Sequence, residues 1–151
     1  LITTACEDDD HDHDHDEDHN DADGFILESE DGTEMYREFE GAMTGSLTLA
    51  VGDTLELSVH FLDHEGNEIE HEEEGEEEDH EDGLVVSEND ANIAVVEVEE
   101  HEEDGDHDED HHGMAIHVEG VSAGSTSFKL QLMHDGHADY TSTNNVPVTV
   151  N

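Results

Sequence analysis

The chain predicts an all-β fold, an immunoglobulin-like antiparallel two-layer sandwich carrying three acidic, histidine-rich flexible segments. Three observations predict it. Apolar residues recur at every second position in several runs, the signature of strands with one buried face. No run of any length has helical periodicity. Acidic residues and histidines are bunched into residues 7–23, 63–83 and 99–113, and setting these blocks aside leaves 98 residues, about the 100 of one such sandwich.

Taken in order, Gly24 to Glu28 reads as a short first strand. Residues 34–40 follow, with Met35, Arg37 and Phe39 alternating against Tyr36 and charged residues. Residues 43–51 place Leu47, Leu49 and Val51 at period two, and Gly52-Asp53 turns the chain. Residues 54–62 alternate cleanly, with Leu55, Leu57, Val59 and Phe61 on one face and Glu56, Ser58 and His60 on the other. Asp63-His64-Glu65-Gly66-Asn67 is a turn. Leu84-Val85-Val86 and residues 93–98 are the next strands. Met114, Ile116 and Val118 then alternate with Ala115, His117 and Glu119, and Phe128, Leu130 and Leu132 with Lys129, Gln131 and Met133. The last strand is 146–150, and Pro147, lacking an amide donor, predicts an edge position for it.

These segments carry a resemblance. SLTLAVGDTLELSV and FLDHEGNEI, then VVSENDANIAVVEV, VEGVSAGSTSFKL and VPVTV, resemble a bacterial Ig-like domain of the group 2 type over residues 44–150. The Gly120-Val121-Ser122-Ala123-Gly124-Ser125-Thr126 turn is its strongest part. The chain departs from that pattern in its two acidic inserts and in lacking a Trp at the middle segment. The resemblance implies a β-sandwich on or outside the cell, without catalysis, and transfers no site residues.

Forty-seven acidic residues face two basic ones, Arg37 and Lys129, for a formal charge of −45. That charge excludes nucleic acid and anionic membrane surfaces as partners, because both would repel the chain. A salt-adapted surface would spread its acids evenly. Here 33 of the 47 lie in the three blocks, with 11 of the 15 histidines. Imidazole suits zinc, copper and nickel, and carboxylate suits calcium and magnesium. The blocks have no apolar face to bury, so packing does not order them.

The start, Leu1-Ile2-Thr3-Thr4-Ala5-Cys6, reads as the tail of a signal sequence and resembles a bacterial lipobox, with Thr3 where Leu is usual. Lipidation of Cys6 and an exported, periplasmic or outer-surface location follow from that reading. Cys6 is the single cysteine, so an intrachain disulfide is excluded. No apolar run approaches the roughly 20 residues of a transmembrane helix.

In the first block, His11, His13, His15 and His19 alternate with carboxylates, and His-x-His spacing lets two imidazoles of one extended segment reach one ion. The tract resembles the His-rich segments of periplasmic zinc-handling proteins. Ordering such a tract costs entropy, which predicts weak, exchangeable sites. His64, His71 and His80 serve the second block; His101, His107, His111 and His112 serve the third. No block matches an EF-hand loop. His134-Asp135-Gly136-His137 is a turn whose two imidazoles can share an ion with Asp135 or Asp139. His60 and His117 fall on polar strand faces, as exposed residues or, should their strands neighbour that hairpin, as further ligands.

Hydrolase, metalloprotease and phosphate-loop signatures are lacking, and the histidine spacing does not match the copper-zinc dismutases. The expectation is therefore a non-enzymatic surface or periplasmic protein that captures or buffers a divalent metal, zinc first, with calcium, copper or nickel as alternatives. A cation-stabilised structural subunit of an extracellular fibre or surface layer, with homo-oligomeric contacts, is the competing expectation.

Overall fold

Residues 21–69, 83–99, 114–134 and 136–151 are described by a computed structural model. They form a two-sheet β-sandwich. Its strands are β1 (Gly24–Ser29), β2 (Glu34–Phe39), β3 (Ala42–Gly45), β4 (Leu47–Leu49), β5 (Thr54–Leu62), β6 (Gly83–Ser87), β7 (Ala94–Val98), β8 (Met114–Gly120), β9 (Gly124–His134), β10 (His137–Thr141) and β11 (Val146–Val150). One sheet runs β3-β2-β1-β5-β8-β7. The other runs β10-β9-β11-β4, with β6 also paired to β9.

Period-two patterning places the core. Leu57, Val59 and Phe61 of β5 and Ile116 and Val118 of β8 are buried, and their alternates Glu56, Ser58, His60, Ala115, His117 and Glu119 lie on the outer face. From the opposite sheet, Phe128, Leu130 and Leu132 of β9 and Val146, Val148 and Val150 of β11 meet them. An aromatic cluster crosses the sandwich, with Phe25 packed on Tyr36, Phe61 and Tyr140 at ring separations of 5.5, 6.3 and 5.9 Å.

Four strand expectations need correction. Residues 43–51 are two short strands in different sheets, β3 and β4. The break falls at Gly45, which has φ +90° and lies so close to Met35 that a Cβ would strike its carbonyl; the chain crosses from one sheet to the other there. Val51, expected as the third inward residue, is in the following turn and exposed. In β2 the inward residues are Tyr36 and Glu38, not the Met35, Arg37 and Phe39 set.

The last strand is not at an edge: β11 pairs with β9 on one side and, in parallel, with β4 on the other. Pro147 is tolerated for a local reason. The Asn151 amide donates to Leu49, so odd-numbered residues of β11 direct their amides toward β4. Pro147 is the odd residue that precedes the start of β4, which pairs from Val148 on. Finally, β10 went unread: after β9 the chain returns along it as β10, and residues 142–145 interrupt it before β11.

Strand directions fix the two ends of the body. Turns tie the ends of β4, β8 and β11 to the start of β5: Gly52 donates to the Gly120 carbonyl, Gly120 to Asp53, and Val51 to Asn151. The starts of β7 and β9 share that end, since Ala94 pairs with Gly120 and Gly124 with Val150. Val51 and Val121 are its exposed apolar residues. The starts of β1, β6, β8 and β10 and the ends of β5, β7 and β9 therefore lie at the other end.

Candidate functional site

That other end is where the acidic blocks attach. The first block enters through Asp21 and Asp23 into β1. The second leaves after β5 and Ile69 and rejoins at Gly83, the start of β6. The third leaves after β7 at Glu99 and rejoins at Met114, the start of β8. The β9–β10 turn opens there too, with His134 and His137 as partners in register and Gly136 at φ +77° between them. One end of the sandwich thus carries the attachment points of all three blocks and the histidine hairpin.

Most of the candidate ligands lie outside the described residues: Cys6, His11, His13, His15, His19, His71, His80, His101, His107, His111, His112 and Asp135. His64 is exposed in its expected turn. The turn is built by Asp63, whose Oδ1 accepts from the Glu65 and Asn67 amides, both at 2.9 Å. The Asn67 bond foremost, against the opposing effect of desolvation, holds that carboxyl below its usual range. His137 is exposed.

His60 and His117 do not join the hairpin, because β5 and β8 belong to the opposite sheet from β9 and β10. Each meets its own carboxylate. His60 Nδ1 is 2.6 Å from Glu68 Oε1, and His117 Nε2 is 2.8 Å from Glu97 Oε2. Glu56, His117 and Glu97 stand in register across β5, β8 and β7. Among the described residues, however, no group of three or more His, Cys, Asp or Glu is placed to hold a metal ion. Any ordered site therefore needs residues beyond those described.

Both cationic side chains are engaged elsewhere. Arg37 Nη1 is 3.4 Å from Glu34, and Lys129 Nζ is 4.0 Å from Glu88. Crowding of like charge is visible even on the body: the hydrogen bond that protonated Glu30 donates to Glu56, then the charge of Glu56, raises the pKa of Glu30. Counter-charge for the blocks must come from protonated histidine or from solution.

One carboxylate is treated differently, and sequence reasoning missed it. Glu38 is fully buried. Its Oε1 accepts from Tyr140 Oη at 2.6 Å and from the Thr143 amide. Its Oε2 accepts from the Asn144 amide at 2.9 Å, Asn144 Nδ2 at 3.1 Å and Tyr36 Oη at 3.2 Å. The three N–H partners can only donate, and together with the two hydroxyls they favour the ionised form. Burial pushes its pKa up, but the bonds from Tyr140, Thr143 and Asn144 outweigh this and hold it below the ordinary value. Burial foremost, then the neighbouring carboxylate, drives both tyrosine hydroxyls upward. The available signal was the Ser142-Thr143-Asn144-Asn145 run, a set of donors with no strand pattern to explain it.

No protein-family model matches the chain, and no curated protein matches it in sequence. Solved structures with a related chain path do exist. Domains 5-6 of the S-layer protein SbsC are 19% identical, covering 72% of this chain and 40% of that one, with a TM-score of 0.44. Domains 4 and 5 are 15% identical, covering 83% and 70%, with a TM-score of 0.43. This chain thus spans well under half of the first of these. Overlaps of this size carry no argument about what it does.

Proposed function

We propose that the chain is a non-catalytic structural module of the cell exterior whose acid- and histidine-rich end takes up divalent cations, and that these cations join it to neighbouring copies. The observation that carries the reading is placement: the described residues that flank the three acidic blocks share one end of the sandwich with the His134–His137 turn, while Arg37 and Lys129 pair with body carboxylates. Like-charged ends repel at close approach unless multivalent counter-ions intervene. Carboxylates supply calcium ligands and imidazoles zinc ligands. Export, and anchoring through lipid on Cys6, belong to the same proposal.

Light scattering with and without chelator tests it. Calcium or zinc is expected to produce assemblies that chelator reverses. A protein that stays monomeric across that series removes the structural role.

A second reading, capture or buffering of zinc by a monomer, is favoured by the register pairing of His134 with His137. Metal uptake without assembly supports it. Loss of uptake after histidine modification then assigns the ligands.

A further inference from the structure

Glu38 is satisfied by protein donors rather than by a cation: the body places a full charge inside its core with donors drawn from both sheets. β2 supplies Tyr36; β10 supplies Tyr140; the chain between β10 and β11 supplies the Thr143 and Asn144 amides and the Asn144 side chain. Asn144 Nδ2 also donates to Gly41 at 3.0 Å, and the Ser142 amide to Leu130 at 2.8 Å. The segment 142–145 is thereby fastened to the opposite sheet through one carboxylate.

We propose that Glu38 is an acid-operated latch, which keeps residues 142–145 and the β10–β11 junction docked while the surface carboxylates titrate and releases them as the last step. The chemistry is one of acceptors. A carboxylate offers charged lone pairs to five donors; a carboxylic acid loses that charge and turns a lone pair of one oxygen into an O–H, which a tyrosine hydroxyl can accept but the Thr143 and Asn144 amides cannot. Protonation therefore weakens the bonds that hold Thr143 and Asn144, which lie on the more exposed side of the site.

The charged surroundings are sparse. Tyr36 on β2 and Tyr140 on β10 are the titratable groups bonded to it, and both stay neutral. Asp23, ahead of β1, acts on Tyr140. β1 and β5 contribute Phe25 and Phe61, packed on the tyrosines, and the 142–145 segment has no ionisable side chain. With its pKa held below the ordinary carboxylate value, Glu38 supports folding above that ordinary value and loses its contribution as pH falls through the lowered one.

Backbone NMR across an acid titration of the full chain tests the order. Side-chain carbons of exposed Asp and Glu are expected to titrate first. Amides of Thr143 and Asn144 shift later, together, and lose exchange protection by at least tenfold. In Tyr140→Phe, which keeps the ring and removes one donor, release moves to higher pH. In Glu38→Gln the late step disappears, and the two amides are already less protected at neutral pH. Loop amides that shift together with the exposed carboxylates overturn the proposal. So does a release pH unchanged in Tyr140→Phe, a variant that retains the packed core.

Discussion

Glu38 and the carboxylates of the three blocks are the same chemical group under opposite solutions to one problem. The core solvates Glu38 with five donors of its own and needs no cation. The blocks join the body at one end, while both basic side chains pair with body acids. A negative charge is thus either enclosed by protein donors or handed to solution ions. Fold stability should follow the first kind of carboxylate, and cation dependence the second.

The sharpest break would come at Glu38. Removing it in Glu38→Ala strands two buried tyrosine hydroxyls and frees the Thr143 and Asn144 amides, and is expected to cost about 3–5 kcal/mol, each stranded buried donor costing about 1–3 kcal/mol. Urea unfolding checks this; a loss near zero would mean the network is not what docks the loop. Tyr140→Phe removes one bond to the charged acceptor and should cost about 1.5–3 kcal/mol in the same assay.

Acid sharpens the contrast next. Glu38 has a folded pKa below its unfolded one, so its contribution is intact at neutral pH and fades as pH falls through the lowered value. Thermal midpoints of the wild type should therefore drop more steeply below about pH 4 than those of Glu38→Gln, pH 4 lying near the ordinary carboxylate value. Parallel curves would remove Glu38 from the acid response.

At the outer face the effects shrink. His117→Ala loses a partly exposed pair with Glu97 and should cost under about 1 kcal/mol. Replacing residues 70–82 by a short Gly-Ser linker should also change stability by under about 1 kcal/mol, since loop closure depends weakly on length, while lowering divalent-cation uptake. A large stability loss in either would show that the acid-rich end supports the fold.

The division between what the sequence shows and hides follows the same line. β5, β8 and β9 were legible because one face of each carries three or more apolar residues in succession at alternate positions, so period two is unambiguous. β2 was misread because Glu38 is an acid on the buried face, and patterning treats every acid as exposed. Residues 43–51 keep one strand's alternation although Gly45 redirects the chain between sheets. Pro147 signalled an edge, but the relevant edge is open only beside that residue, one position before β4 begins. β10 was hidden because Ala138, Asp139 and Thr141 are exposed and only Tyr140 faces inward. For the candidate site, sequence clustering identified the blocks; that they share one end is a property of strand direction, which no local pattern encodes.

The most direct test of the central claim is equilibrium dialysis of the intact chain against calcium and zinc, beside a variant whose residues 70–82 and 100–113 are replaced by neutral linkers. The account predicts several divalent ions retained per intact chain, far fewer in the variant, and the same folded body in both. Equal retention by the two, or none by either, would contradict it.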